Sequence, residues 1–387
     1  MIAAGPPRGT LPAVRMLALA LVTLATGAGT TRAAATPRPW YEEIAVNGFL
    51  ETSYSYNFDR PDTRRNALRV FDFEDNTFKL DVAELVVQRA AAKPREAGFR
   101  VDLEAGSSIP RVSAAAGLFR DPVTGAAQDV DLQQAFASYV LPLGSGVRVD
   151  AGKFVTHLGA EVIEGYDGWN DNATHSYLFG FAIPFTHTGV RASQSFGPRV
   201  AAMLMLANGW DVATDNNRAK TVGAQLALTP TSALTVYLNG IVGAERQDSN
   251  ADLRRVFDLA ATLRASSRLN LGLNLDLAAE QGAVPAAGGP PARTAGWSGV
   301  AGYARLTTSA RTALILRAES FHDRDGARTG TPQSLGEITL TPELRVTPGF
   351  LVRADLRTDW SNRAVFERRG RAVKDQGTAL LSAIARF

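Results

Sequence analysis

The chain has 387 residues, of which 45% are hydrophobic, 20% are charged and none is cysteine. This composition argues against a disordered protein and a helical membrane protein, and the lack of cysteine excludes disulfides and thiolate metal sites. The formal net charge is +3. However, Arg8, Arg15 and Arg32 lie in a segment that we expect to be removed, which leaves a neutral mature chain. The charge therefore gives no support to nucleic-acid binding.

Residues 1–35 have the features of a cleavable secretory signal peptide. Arg8 and Arg15 supply positive charge, residues 16–25 form a short apolar core, and the three alanines at 33–35 offer a small-residue cleavage site. This core has about half of the roughly 20 residues that a membrane-spanning helix needs. An uncleaved anchor is therefore the weaker alternative.

Downstream of this segment, apolar and polar residues alternate with a period of two. In the stretch 268–281, leucines at every second position face one way and polar residues face the other, and 349–362 repeats this pattern. Such alternation is typical of β-strands with one dry face and one wet face. The stretch 79–91 fits poorly because residues 85–87 are all apolar, which a β-bulge would explain.

The pattern predicts an all-β fold, a transmembrane antiparallel β-barrel of about sixteen strands. Tight turns alternate with long loops along the chain, as in outer-membrane barrels with short periplasmic turns and long extracellular loops. We expect a short periplasmic segment at 36–45 and the barrel at 46–387. The predicted strands lie near residues 46–57, 78–90, 97–106, 131–141, 146–156, 184–196, 199–209, 220–229, 233–244, 253–265, 268–280, 296–308, 311–322, 335–346, 349–360 and 375–387.

The charged residues indicate which face of each strand points inward. An arginine on the lipid face at the membrane midplane costs roughly 2–4 kcal/mol, so a face with several charges should line the lumen. Sixteen strands enclose more space than their own side chains fill, which predicts a water-filled channel. The predicted lumen-lining residues are Arg100, Asp102, Glu104, Arg148, Asp150, Arg317, Arg353, Asp355 and Arg357.

Aromatic residues near the predicted strand ends would form two girdles at the membrane interfaces. Phe387 also ends an amphipathic strand, which resembles the terminal signal by which the barrel-assembly machinery recognises outer-membrane proteins. An ordinary edge strand that ends in Phe is the alternative. We expect Tyr54, Tyr56, Trp210, Trp297, Phe321 and Trp360 in the outer girdle, and Phe196, Phe350 and Phe387 in the inner one.

The long loop at 157–183 is the candidate for a pore constriction. In porins, a long third loop often folds inward and narrows the pore. Carboxylates at such a point would favour cations, and aromatic rings beside them could stack on sugars. A loop folded over the rim is equally compatible with the sequence. The predicted constriction residues are Glu161, Glu164, Asp167, Asp171, Tyr166 and Trp169.

The stretches 132–164 and 183–191 carry a family resemblance. Gly152-Lys153-Phe154 ahead of Gly159-Ala160-Glu161, together with the segment PFTHTG at 184–189, are its recognisable pieces. On these motifs the chain resembles the putative β-barrel porin-2 family, OmpL-like outer-membrane porins of Gram-negative bacteria. The resemblance implies a porin-like barrel without enzymatic activity, catalytic residues or cofactors. The Pro-Glu-Phe-Gly-Gly loop signature of general trimeric porins is missing, so the oligomeric state stays open.

Several functions are compatible with these patterns. Passive diffusion of small hydrophilic solutes through a mixed-charge pore is the leading one. The alternatives are a loop-plugged barrel with a binding, adhesive or structural role and a soluble secreted β-protein. His157, His175 and His187 show no known metal-ligand spacing, and no serine is paired with a particular histidine for hydrolysis. The basic cluster at 363–374 would be a solvated face that touches anionic lipopolysaccharide.

Overall fold

The computed structural model describes residues 39–111, 118–121, 123–284 and 293–387. The predicted signal peptide at 1–35 and residues 36–38 of the predicted N-terminal segment lie outside these described residues. Helical turns occur at Trp40–Glu43 and Leu178–Ala182. No helix of the described residues is long and apolar enough to cross a membrane.

Within the described residues, sixteen strands pair antiparallel with their neighbours and close into one barrel. The predicted fold class is therefore confirmed. β1 pairs with the last strand, and every other barrel strand pairs with the strands before and after it in the ring. A small separate hairpin, β16 with β17, lies in the last long connection. The bounds are β1 (Ala45–Asn57), β2 (Thr77–Arg89), β3 (Ala97–Ala105), β4 (Val130–Leu141), β5 (Val147–Val155), β6 (Thr186–Ser195), β7 (Val200–Ala207), β8 (Thr221–Thr231), β9 (Leu234–Ala244), β10 (Leu253–Arg264), β11 (Leu269–Val284), β12 (Arg293–Thr307), β13 (Thr312–Asp323), β14 (Gln333–Thr347), β15 (Phe350–Ser361), β16 (Phe366–Arg368), β17 (Arg371–Val373) and β18 (Asp375–Arg386).

The alternation of side chains sorts the barrel into an apolar outside and a largely polar inside. On β13, Leu314 and Leu316 are exposed on the outer surface, whereas Arg317 between β12 and β14 is fully buried on the inner face. Leu356 on β15 is likewise exposed, and its neighbour Asp355 is buried. A closed sheet satisfies every backbone hydrogen bond between strands, which is what a hydrocarbon environment requires.

Gly48 and Phe387 join the first strand to the last one. The Phe387 N–H donates to the Gly48 carbonyl (3.1 Å), and the Gly48 N–H donates to the Phe387 carbonyl (3.0 Å). The Phe387 ring covers Gly48 so closely that an added Cβ would lie 2.1 Å from its Cζ. A larger residue at position 48 would displace the exposed Phe387 ring.

β2 contains a β-bulge within the irregular stretch at 79–91. Glu51 on β1 faces Val82, and the next residue, Thr52, faces Leu80, so that Asp81 has no partner on β1. Asp81 and Val82 are both buried on the inner side, and the alternation resumes with the opposite phase after them. The apolar run at 85–87 lies beyond the bulge and alternates regularly: Leu85 faces outward, and Val86 is an apolar residue on the inner face.

Three residues predicted for the outer aromatic girdle point into the barrel instead. Trp210, Trp297 and Phe321 are buried and belong to the inner apolar cluster, so their assignment to the lipid interface is wrong. A loop that enters the lumen supplies them with an apolar partner there, which the strand pattern alone does not reveal. Trp360 is exposed on the outer surface, as a girdle residue should be.

Candidate functional site

The connection between β5 and β6, residues 156–185, runs inside the barrel and is called loop 3 below. The Ala160 N–H donates to Asn274 Oδ1 on β11 (3.1 Å), and the Tyr166 N–H donates to the Glu84 carboxylate on β2 (2.7 Å). β2 and β11 lie nearly opposite each other in the ring of strands. Loop 3 therefore crosses the lumen from one wall to the other.

The returning half of loop 3 is fixed by backbone hydrogen bonds to the wall. Leu178 begins the buried helical turn, and its N–H donates to the Glu319 carboxylate on β13 (3.2 Å). At the end of the turn, the Ala182 carbonyl accepts a hydrogen bond from Trp297 Nε1 on β12 (3.1 Å). Because a buried backbone group without a partner is costly, these side chains hold the loop in one position.

Each of the four carboxylates predicted for the constriction is paired with an arginine of the wall. Three of these arginines, Arg317, Arg353 and Arg100, are among the predicted lumen-lining residues, whereas Arg305 was not predicted. The pairs are Glu161 with Arg317 (3.2 Å), Glu164 with Arg353 (3.2 Å), Asp167 with Arg100 (2.6 Å) and Asp171 with Arg305 (2.8 Å). The acidic charge of loop 3 is thus largely neutralised within the barrel.

The two glutamates of loop 3 respond differently to their surroundings. Burial alone would raise the pKa of Glu161, but Arg317 and the Ser176 N–H outweigh it and hold this pKa below its ordinary value. Burial also acts on Glu164, and it raises the pKa of this carboxyl well above its ordinary value although Arg353 opposes the shift. Arg353 is shared between Glu164 and Glu51. It therefore opposes the effect of burial on the pKa of Glu164 less than Arg317 does for Glu161.

The two aromatic residues predicted for the constriction pack against the wall. The Tyr166 hydroxyl accepts a hydrogen bond from Gln88 on β2. Trp169 lies beneath the Arg386 guanidinium, whose carbon is 4.9 Å from the centre of the indole ring, and packs on an inner apolar cluster that includes Phe49. These rings therefore anchor the loop, and neither stands alone in the lumen.

The other predicted lumen-lining residues also lie on the inner side, where they bond to one another or to the loop. Asp150 joins Arg148 (2.8 Å) to Arg191 (3.0 Å), and Asp102 binds Arg100 (2.8 Å). The remaining contacts are Glu104 with Gln133 (2.6 Å), Asp355 with the Thr174 N–H (2.7 Å), and Arg357 with Asp359 (2.7 Å).

The connection between β1 and β2, residues 58–76, also enters the barrel and is called loop 1 below. Arg69 binds Asp72 within the loop and donates to Thr378 on β18 (3.0 Å). The Phe71 ring packs edge-on against His175 and at a tilt against Phe179, both in loop 3. Sequence reasoning missed loop 1 because its residues show no periodicity. The available signal for an inward loop was the pair Arg69 and Asp72, three residues apart, beside Phe71.

The inner wall is not uniformly polar. Buried inward residues on β7–β10 are mostly apolar, whereas those on β13–β15 are mostly polar or charged. Apolar inner residues include Met203, Met205, Tyr237, Ile241 and Val256. Among the described residues, no group of three or more His, Cys, Asp or Glu side chains is arranged to hold a metal ion.

A closed antiparallel barrel with a lipid-facing apolar surface and an inward third loop defines a porin-like outer-membrane protein. The chain belongs to the family described as Putative beta-barrel porin-2, OmpL-like, whose match covers residues 43–387. The resemblance seen in the sequence and the predicted outer-membrane location are confirmed. No curated protein matches the sequence significantly.

Solved porin structures share this fold at low sequence identity. An anion-selective porin from Comamonas acidovorans aligns with a TM-score of 0.59 and 11% identity, covering 89% of this chain and 99% of that one. The outer membrane channel DcaP of Acinetobacter baumannii aligns with a TM-score of 0.60 and 9% identity, covering 89% of this chain and 97% of that one. OprB of Pseudomonas putida aligns with a TM-score of 0.59 and 12% identity, covering 90% of this chain and 95% of that one. At such identities the likeness concerns the fold alone.

Proposed function

We propose that this barrel allows small hydrophilic solutes to diffuse passively across the outer membrane, with loop 3 as the element that narrows the passage. The observation that carries the proposal is the course of loop 3 through the lumen, held by arginines of the wall. A polar loop suspended across a barrel restricts the diameter of the passage while keeping its surface hydrophilic.

Weak ion selectivity is part of this proposal. The carboxylates of loop 3 are paired with arginines, so neither sign of charge dominates the surface that a solute would meet. Charge selectivity in a channel arises from uncompensated rings of one sign, and pairing removes that field.

Planar-bilayer recording of the purified protein tests the proposal. We expect discrete conductance steps and a reversal potential close to zero in a potassium chloride gradient. Well-folded protein that inserts without any conductance step would contradict passive diffusion. A large reversal potential would contradict only the expectation of weak selectivity.

A second candidate function is a plugged barrel with a binding, adhesive or structural role. It is favoured by the burial of inner side chains beneath loops 1 and 3, since Arg353 and Arg357 are only 1% and 2% exposed. Liposome swelling separates the two functions. Uptake of small sugars contradicts a sealed barrel, and exclusion of all sugars by folded protein supports it.

Two partners follow from the same reasoning and are also proposals. Loop 8 (362–374) exposes Arg363, Arg369, Arg371 and Lys374, a basic surface that suits the phosphates of lipopolysaccharide. We expect neutral replacements there to weaken lipopolysaccharide co-purification without unfolding the barrel. Phe387 is the proposed contact for the barrel-assembly machinery, and its replacement by alanine should lower the assembled yield.

A further inference from the structure

A small cavity lies inside the barrel between the wall formed by β1, β2 and β18 and the inward loops. Its volume is about 30 Å³, which is room for about two water molecules or for one group of that size. One side of the cavity is apolar. The polar residues that line it include Glu51, Ser53, Asp72, Asp81, Glu164 and His175.

Three polar atoms on this lining lack a hydrogen-bond partner among the described residues. They are Ser53 Oγ, Asp81 Oδ2 and His175 Nδ1, and each belongs to a residue that is more than nine-tenths buried. A buried polar atom without a partner is destabilising, so three of them in one cavity indicate that a ligand or solvent completes the site.

All three atoms can accept a hydrogen bond. A carboxylate oxygen such as Asp81 Oδ2 only accepts, and the Ser53 hydroxyl can accept. His175 Nε2 lies 3.3 Å from the Val162 carbonyl and 3.1 Å from Asn170 Nδ2, and Nδ1 is an acceptor in the tautomer whose Nε2–H donates to Val162. The matching ligand is one that carries several N–H or O–H donors.

The bulge in β2 is the reason that Asp81 reaches the cavity. In a regular strand Asp81 and Val82 would face opposite sides, but here both face inward. The Asp81 carbonyl accepts a hydrogen bond from the Ser108 N–H (3.1 Å), which fixes the bulge. Bulges commonly re-aim a side chain beside a functional site.

The charge around the cavity is not balanced by its own arginines and lysine. Glu51 and Glu164 share Arg353 (2.7 and 3.2 Å), whereas Asp81 has Lys79 (3.1 Å) and Asp72 has Arg69. Four carboxylates thus face three cationic groups, so one carboxyl has to bind a proton or a cation to balance the charge. The raised pKa of Glu164 favours a proton there when no cation is bound, and a bound monovalent cation would take the place of that proton.

We propose that this cavity binds a small protonated amine, ammonium or methylammonium, through hydrogen bonds to Asp81, Ser53 and His175. The N–H groups of such a cation match the three unpartnered atoms, and its single positive charge replaces the proton on Glu164. The apolar side of the cavity accommodates one methyl group. Binding of this kind does not require a conducting pore, so the proposal stands apart from solute diffusion.

Thermal unfolding of the purified barrel, measured with methylammonium, sodium and tetramethylammonium chlorides at matched ionic strength, tests the proposal. A ligand that binds only the native state stabilises it in a saturable way. We expect saturable stabilisation by methylammonium, less by sodium, and none by tetramethylammonium, which has no N–H. Equal effects of all three salts would mean that only solvent occupies the cavity and would overturn the proposal. A sodium effect as large as that of methylammonium would exclude the amine class.

Variants locate the effect in the cavity. Asp81→Asn removes the charge of the proposed acceptor, so it should weaken methylammonium binding by about tenfold or more. Ser53→Ala removes one neutral acceptor without touching the Lys79 pair and should weaken it by about fivefold. Asp131→Asn is the matched control, because Asp131 forms a similar buried pair with Lys153 (2.6 Å) away from the cavity. Undiminished binding in folded Ser53→Ala and Asp81→Asn proteins would overturn the site.

Discussion

Arg317 is the side chain whose removal most directly tests the attachment of loop 3. It is fully buried, and it binds Glu337 on β14 (2.7 Å) and Glu161 of loop 3 (3.2 Å). It also donates to the hydroxyl of Thr174 in the same loop (3.2 Å). Replacing Arg317 by methionine keeps most of its length but leaves Glu161 buried without its cation and Glu337 with only the longer contact to Arg357 (3.6 Å).

Breaking a buried ion pair by removing one partner costs about 3–5 kcal/mol. Since about 1.4 kcal/mol corresponds to a tenfold change in an equilibrium constant, the docked state of loop 3 would become about a hundred to several thousand times less favoured. Part of this cost falls on the wall through Glu337. The double variant Arg317→Met with Glu161→Gln isolates the loop contribution.

Hydrogen exchange of loop 3 peptides is the assay, supported by single-channel conductance. The Ser176 N–H, which donates to Glu161 (3.0 Å), should exchange much faster in Arg317→Met, and the conductance should become larger or noisier. Arg148→Met is the control, because Arg148 binds Asp150 on the wall and its side chain is 39% exposed. Unchanged exchange of loop 3 in folded Arg317→Met would refute the reasoning.

Three further predictions concern other parts of the barrel. Trp297→Ala should lower the free energy of unfolding by about 3–5 kcal/mol, because the indole is 2% exposed inside the barrel. Trp360→Ala on the outer surface should lower it much less. Equal losses of stability in urea titrations of the two variants would contradict the different placement of the two rings. Leu356→Arg puts a charge on the lipid face and should cost roughly 2–4 kcal/mol in lipid vesicles, so an unchanged unfolding midpoint would argue against lipid contact there. Gly48→Ala should displace the Phe387 ring and cost about 1–3 kcal/mol, but it should add nothing to Phe387→Ala, and full additivity of the two changes would contradict the ring contact.

The strand pattern was predictable because the barrel obeys local rules. Each predicted strand has a counterpart in the ring, with bounds that differ by a few residues, since lipid outside and polar groups inside force strict alternation. The position of the bulge was not predictable, because the apolar run at 85–87 that suggested a bulge lies beyond the observed one at Asp81. That Asp81 has no partner on β1 depends on the register between β1 and β2, which the local sequence does not encode.

The lumen was less predictable than the wall. The sequence predicted carboxylates in loop 3 and arginines on the strands, but their pairing depends on where the loop lies in three dimensions. Trp297 was misplaced for the same reason: an aromatic residue near a strand end can face lipid or an inward loop. Arg69 and Phe71 of loop 1 lie in a segment without periodicity, so only the fold reveals that they reach the lumen.

The central claim, that alternate side chains separate lipid from the barrel interior, is tested most directly by spin labels along β14. The chain has no cysteine, so single cysteines can be labelled without background. In vesicles, labels at Ile338, Leu340 and Leu344 should collide often with oxygen and rarely with a water-soluble nickel complex, and labels at Thr339 and Thr341 should show little oxygen access. Uniform collision rates along the strand, or oxygen access at the threonines equal to that at the leucines, would contradict the account.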